Sequence, residues 1–231
     1  MKNGDGSVFY ESRKTKIEPS QFLLGFKKKP ILGILRGATL GIIEPLIEAV
    51  ISAGLETLEI TMNTQGAPEL IKKAKKISAG RLVLGAGTVL TMQDLKLALK
   101  SGAGFIVMPV LVSPIVKYCI KNKIPVFPGA LSPQEIYRAY EAGATMVKVF
   151  PAKFFGPEYF REIRGPFNGM ELLACGGVTP ENLKDYFTSG ASAVSFGASV
   201  FRKDWLLNKD FKSVGLAVKK FMDAWEEQSY G

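Results

Sequence analysis

Short runs of apolar residues recur along this chain. Most are entered through a small-residue turn and followed by a stretch with apolar positions at helical spacing. The turns Ala53-Gly54, Ala79-Gly80, Gly102-Ala103, Ala142-Gly143 and Ser189-Gly190 lead directly into Leu55–Thr61, Arg81–Ala86, Gly104–Pro109, Ala144–Phe150 and Ala191–Gly197. Three further runs, Pro30–Leu35, Ile124–Phe127 and Met170–Ala174, fill the gaps. Runs of this length, rich in β-branched residues, predict buried strands. Several intervening segments carry helix starts. Ser132-Pro133-Gln-Glu135 combines an N-cap, a first-turn proline and a capping-box glutamate, and Ser113-Pro114 and Thr179-Pro180 follow the same logic. Eight strands alternating with helices predict an α/β fold with a parallel sheet, and eight is the number that closes a TIM (β/α)8 barrel. The rival, a doubly wound open sheet, gathers its chemistry at one switch point. Here polar and glycine residues stand at the ends of nearly every strand. Residues 1–17 read as a polar tail. Residues 18–231 read as a single barrel domain, with a helix at Pro19–Lys29 capping the barrel bottom and a long terminal helix over Lys209–Gln228.

Alternation within the runs sorts the side chains by face. In Ala144-Thr-Met-Val-Lys-Val-Phe-Pro151 it sets Met146, Lys148 and Phe150 against Val147 and Val149, and so turns Lys148 toward the enclosed face. An amine buried there is paired or loses its proton, and a lysine of lowered pKa is the nucleophile of Schiff-base chemistry. A strand-end lysine that snorkels to water is the other reading of this segment. In Leu55-Glu-Thr-Leu-Glu-Ile-Thr-Met62, the set Leu58, Ile60 and Met62 faces the helices, which leaves Thr57, Glu59 and Thr61 inside. A buried carboxylate needs a cation or a hydrogen bond, and Lys148 on another strand could supply one. The pair could equally be a structural ion pair.

Composition narrows the chemistry. The 231 residues are 47% hydrophobic and 22% charged, with no apolar stretch of membrane-spanning length and no apolar segment behind the polar N-terminus. The two cysteines, Cys119 and Cys175, stand far apart, which suits a reducing cytoplasm. The absence of histidine excludes Ser-His-Asp and Cys-His machinery and histidine-based zinc sites, leaving carboxylates, lysine, tyrosine or water for proton transfer. The net charge of +9 gathers in lysine-rich helical faces such as Lys72-Lys73-Ala-Lys75-Lys76, without any nucleic-acid module. It reads as a solvated surface that also attracts anionic substrates.

In a TIM barrel the site forms at the C-terminal strand ends. Those ends carry Arg36; Glu59, Thr61 and Asn63; Thr88; Pro109; Pro128-Gly129; Lys148 and Phe150; Gly176-Gly177; and Gly197-Ala-Ser199. The glycine loops at Gly176-Gly177 and Gly197–Ser199 read as strand-to-helix turns. Their backbone N–H groups and the helix N-termini behind them can hold a phosphate. Arg36 is a permanent cation for carboxylate or phosphate, or an inter-strand strut. Pro109 and Phe150 are candidate pocket walls that keep the amine dry.

Leu-Glu-Ile-Thr, Gly-Ala-Gly-Thr, Pro-Val-Phe-Pro-Gly, Val-Lys-Val-Phe-Pro-Ala and Gly-Gly-Val-Thr-Pro-Glu-Asn, in this order, resemble the 2-keto-3-deoxy-6-phosphogluconate (KDPG) and 4-hydroxy-2-oxoglutarate aldolase family over residues 20–205. The resemblance implies a class I aldolase, a homotrimeric barrel that uses no metal and no other cofactor. It implies Lys148 as the Schiff-base lysine and Glu59 as the proton-transferring carboxylate. Thr88 would hold the pyruvate carboxylate, and Gly176, Gly177 and Ser199 the distal phosphate. Two positions depart from the family pattern. Asn63 replaces an arginine common in the family, as in the related 6-phosphogalactonate aldolases, and Ala174-Cys175 replaces Pro-Thr, removing a hydroxyl beside the phosphate loop. The expected activity is reversible cleavage of a 2-keto-3-deoxy-6-phospho sugar acid to pyruvate and glyceraldehyde 3-phosphate. A 4-hydroxy-2-oxoglutarate or 6-phosphogalactonate-type substrate is the alternative. The rival from another class is a non-catalytic sugar-phosphate-binding barrel. Neither nucleic acid nor membrane is an expected partner.

Overall fold

The computed structural model describes residues 18–229; the N-terminal tail expected at 1–17 lies outside the described residues. The strands are β1 (Ile31–Leu35), β2 (Thr57–Thr61), β3 (Val83–Gly87), β4 (Ile106–Val107), β5 (Val126–Phe127), β6 (Gly129–Ala130), β7 (Val147–Val149), β8 (Leu172–Cys175) and β9 (Ala193–Phe196). They form one sheet in the order β5-β4-β3-β2-β1-β9-β8-β7-β6, with every pairing parallel. The sheet's two end strands, β5 and β6, are halves of one chain segment divided by Pro128, which has no N–H to give to a ladder. β5 pairs with β4 and β6 pairs with β7, so this segment closes the ring. The eight expected runs thus become the eight staves of a parallel barrel, one of them interrupted at its proline.

Around the ring stand α2 (Ile43–Ser52), α3 (Ala67–Ser78), α4 (Met92–Ser101), α5 (Ser113–Lys121), α6 (Pro133–Glu141), α7 (Gly156–Arg164), α8 (Leu183–Thr188), the short α9 (Lys203–Leu207) and α10 (Phe211–Ser229). The capping box at Ser132 forms as its sequence dictates, with Ser132 Oγ accepting from the Glu135 N–H and Glu135 Oε2 accepting from the Ser132 N–H. Two expected starts shift. Ser113 is already helical, with Val112 at the cap, and α8 begins at Leu183, after a turn in which Thr179 and Asn182 bond each other's backbone.

Burial follows the alternation. Leu58, Ile60, Val147, Val149, Leu172, Ala174 and Val194 join the layer between strands and helices. Leu32, Phe105, Val107, Phe127, Met146, Leu173 and Ala193 fill the barrel interior. Helix α1 (Pro19–Phe26) closes the bottom by driving Phe22 and Phe26 into that interior cluster. The Phe22 ring lies 5.1 Å from Phe105 and 5.8 Å from Phe127. Offset aromatic packing of this kind adds to the area buried. The floor is therefore closed by aromatic rings.

Candidate active site

Glu59 and Lys148 converge inside the upper barrel. Glu59 is fully buried at the centre of β2, beside Gly85 of β3, and Lys148 is 6% exposed at the centre of β7, beside Gly129 of β6. Interior glycines create their space. A Cβ at Gly87 would fall less than 3.0 Å from the Glu59 carboxyl, and a Cβ at Gly129 less than 3.0 Å from the Pro109 backbone. Any larger residue at either place would push the carboxylate or the neighbouring strand out of position.

The electrostatics differ from expectation in two respects. Glu59 and Lys148 influence each other's charge, yet neither Glu59 oxygen has a hydrogen-bond partner. No ion pair within 4.0 Å holds the carboxyl among the described residues. Burial pushes its pKa above the ordinary carboxylate value, against the opposing pull of Lys148 and Arg36. Burial also works against the Lys148 ammonium, but the Cys175 sulfur and the Glu59 carboxylate favour it, and the balance raises the amine's pKa. The lowered pKa expected from an apolar strand is thus reversed by partners contributed from other strands. A carboxylate with raised proton affinity beside a protonated amine is suited to taking the proton that keeps the amine from attacking.

The mouth residues surround this pair. Arg36 follows β1, is exposed, and its Nη2 donates to Thr88 Oγ1 at 3.4 Å, linking the ends of β1 and β3. Its charge is felt by both Glu59 and Lys148. Thr88 follows β3 with φ +54, an unusual conformation for a β-branched residue. Phe150 presents its ring 5.5 Å from Lys148 Nζ and is itself 39% exposed. Pro109 is half-buried against Gly129, and Asn63 is exposed on the loop after β2.

The glycine loops lie further out. Gly176 and Gly177 take consecutive left-handed conformations, φ +92 and +85, which side chains rarely tolerate. Gly176 packs under Phe150, and Gly177 packs against Lys153. Neither this loop nor Gly197–Ser199 runs straight into a helix, as the sequence suggested. A turn precedes α8, and the Gly197 carbonyl takes the N–H groups of Val200 and Phe201 before α9 begins. The anion-binding argument for them therefore rests on accessible backbone rather than on helix termini. Ser199 is exposed beside them.

A family model described as KDPG and KHG aldolase matches residues 25–217. The chain belongs to that aldolase family. The 2-dehydro-3-deoxy-6-phosphogalactonate aldolase of Escherichia coli (strain K12) is 29% identical to it, over 85% of this chain and 97% of its own. The 2-dehydro-3-deoxy-phosphogluconate aldolase of Pseudomonas aeruginosa is 33% identical over 76% and 81%. Among solved structures, native KDPGal aligns with a TM-score of 0.82 and 28% identity, covering 88% of this chain and 98% of its own. The resemblance read from the motifs is borne out in family and fold, and the family's members are carbon–carbon lyases. The matched span holds every strand and every mouth residue from Arg36 to Ser199.

Three residues near Glu59, Lys148 and Arg36 make contacts that the sequence pattern does not show. In the sequence pattern Cys175 marks only the loss of a hydroxyl beside the phosphate loop, but it is buried at the end of β8 and its sulfur favours the charged form of Lys148. Alternation along Leu173 and Cys175 carries that signal, since Leu173 faces inward. Gly87 belongs to the Gly-Ala-Gly-Thr motif, yet its steric role appears only once Glu59 is seen across the strand pair. Thr64 bonds Thr61 three residues before it, but its other partner, the Gly37 N–H, is 27 residues away and carries no local signal. Among the described residues no group of three or more His, Cys, Asp or Glu is placed to hold a metal ion, and no helix is long and apolar enough to cross a membrane.

Proposed function

We propose that this chain is a class I aldolase whose Schiff base forms on Lys148, with a 2-keto-3-deoxy-6-phospho sugar acid as substrate and pyruvate and glyceraldehyde 3-phosphate as products. The observation that carries this reading is the unpartnered Glu59 carboxyl buried in the same interior as the Lys148 amine. Such an arrangement is costly as pure structure and useful as acid–base machinery. Arg36 and Thr88 receive the substrate carboxylate, with Asn63 at the edge and Phe150 and Pro109 as walls. Glu59 takes the proton from Lys148, and the free amine attacks the C2 ketone. Protonated Glu59 returns its proton to the carbinolamine hydroxyl, which leaves as water; Glu59 is ionised again, and the resulting protonated imine draws electrons from the C3–C4 bond. That bond breaks as the C4 hydroxyl proton passes to Glu59, directly or through water, releasing the aldehyde. The enamine is reprotonated at C3 and hydrolysed to pyruvate.

The backbone of Gly176, Gly177 and Gly197, with the Ser199 hydroxyl, receives the distal phosphate. Asn63 favours the C4-epimeric phosphogalactonate substrate as a second reading, while the relatives include both kinds of enzyme, at 29% and 33% identity. We also assign a homotrimer working in the cytoplasm, on the strength of the family resemblance and of cysteine usage. Pyruvate with borohydride, followed by peptide mass analysis, tests the core of this reading. One pyruvyl adduct on the Lys148 peptide is expected, and an unlabelled protein would overturn it. Assay of both epimeric phosphorylated acids and of 4-hydroxy-2-oxoglutarate then ranks the substrates.

A further inference from the structure

The reading of Arg36 as the carboxylate receptor raises a physical question. An exposed arginine on a strand-end loop has considerable rotamer freedom, and fixing it costs entropy that weakens binding. Its one hydrogen bond to a side chain among the described residues is the long contact with Thr88, 3.4 Å. Its backbone, however, is held firmly. The peptide joining Arg36 to Gly37 donates its N–H to Thr64 Oγ1 at 3.0 Å, and Gly37 takes φ +76 immediately after Arg36. Thr64 is only 6% exposed and its hydroxyl lies 3.0 Å from that of Thr61, which is fully buried at the end of β2. The knot thus joins the loop carrying Arg36 to the strand carrying Glu59, and to the loop carrying Asn63. A hydroxyl can serve such a junction because it donates and accepts at once.

We propose that Thr64, backed by Thr61, is a positioning residue for substrate binding, and that its hydroxyl fixes the Arg36 peptide so that the guanidinium meets the carboxylate end of the keto acid. The inference rests on the proposed function for the role of Arg36. Its consequence is selective. Loss of the Thr64 hydroxyl weakens capture of the carboxylate without touching Lys148, which sits on the far side of the barrel.

Pyruvate isolates this end of the substrate, because it carries the carboxylate and ketone but no phosphate. The experiment measures borohydride trapping of pyruvate on Lys148 as a function of pyruvate concentration. Thr64→Val keeps the shape and removes the hydroxyl. It is expected to raise the half-saturating pyruvate concentration about three- to tenfold, the effect of one ordinary hydrogen bond, while leaving the maximal trapping rate near wild type. Thr64→Ser is expected to restore wild-type behaviour. Arg36→Met is expected to raise half-saturation further, and adding Thr64→Val to it to change nothing more, because the two act through one contact. Should Thr64→Val fail to fold, Thr64→Ala is read in its place.

Unchanged half-saturation in the Thr64 variant overturns the inference, as does a penalty that multiplies with that of Arg36→Met. A lowered melting temperature with unchanged half-saturation makes Thr64 merely structural and overturns it equally. Unchanged half-saturation in Arg36→Met removes the role of Arg36 and this inference with it. Failure of wild type to trap pyruvate at all would instead overturn the proposed function, so the two failures are read on different proteins.

Discussion

The two ends of this barrel are built from the same strands and the same alternation, yet one is packed with aromatic rings and the other encloses ionisable groups. At the floor, Gly85 leaves room for an aromatic ring: a Cβ there would fall less than 3.0 Å from Phe105, which stacks with Phe22 and Phe127 beneath it. Two residues further along the same strand, Gly87 leaves room for the Glu59 carboxyl, and nothing hydrogen-bonds that carboxyl. Identical residues on one strand thus serve opposite ends. Below, missing side chains are replaced by apolar volume that stabilises the fold. Above, they are replaced by ionisable groups whose burial costs stability and gives reactivity. A small space beside the floor follows the floor's rule. It holds about 180 Å³ between α1 and β2–β3, lined by Phe22, Phe26, Thr57 and Val83, and its charged groups, Lys29 and Glu56, are paired at 2.9 Å.

The largest break in the comparison comes from truncating the ionisable end. Lys148→Ala removes the nucleophile, and turnover is expected to fall to the background rate with no pyruvyl label on any peptide. Its fold should persist, since the variant removes a buried charge that the floor does not use. Full labelling of Lys148→Ala on another lysine would place the chemistry elsewhere. Glu59→Gln comes next. It preserves shape but cannot accept a proton, so turnover should fall about 100- to 10,000-fold while imine trapping continues. The pH profile offers a check on the intact protein. Glu59 acts ionised and its pKa is raised above 4.5, so the acid limb of kcat/KM should lie above pH 4.5, with activity lost as pH falls through it. A limb below that value would detach Glu59 from the rate.

The same substitution made at both ends sharpens the contrast. Gly85→Ala crowds Phe105 and is expected to cost about 1–3 kcal/mol of stability through overpacking, read as a lowered denaturant midpoint, with turnover per folded molecule retained. Gly87→Ala pushes the base itself, and displacement of a reacting group by about 1 Å can cost about 100-fold in rate. It should lose turnover out of proportion to any loss of stability. If both variants lost stability and rate in parallel, the division between floor and mouth would be false.

Much of this division is legible in the sequence. Alternation along Leu55–Met62 and Ala144–Phe150 puts Glu59 and Lys148 on the inner face, because a period of two leaves no other face for a charge between apolar neighbours. Strand count and turn spacing carry the barrel. The remainder is not legible because it depends on distance across the ring. The steric need for Gly87 is set by a residue on the neighbouring strand. The Thr64 tie spans two loops, and the break of one strand at Pro128 depends on where its two neighbours pair. The sign of the Lys148 shift fails for the same reason. Its own strand supplies only desolvation, and the groups that reverse the effect stand on β2 and β8.

Cys175 offers the finest test, because it separates the local contribution to the Lys148 pKa from the contribution of its partners. Burial lowers that pKa, while the Cys175 sulfur, through charge and hydrogen bonding, and the Glu59 carboxylate raise it; Arg36 opposes them from the mouth. Cys175→Val keeps an inward apolar side chain on β8 and removes the sulfur. The amine should then hold its proton less strongly. Imine formation needs the neutral amine, so its rate rises as pH climbs through the lysine pKa, and removing a group that raises that pKa moves the rise toward lower pH. The expected result is trapping of pyruvate that begins at lower pH in Cys175→Val than in wild type, with a similar plateau at high pH. Cys175→Ser, which keeps a weakly acidic hydrogen-bonding group, should fall between them. A rise that stays in place would mean that Glu59 alone holds the ammonium, and a rise displaced to higher pH would mean that the thiol helps to remove the proton instead of retaining it.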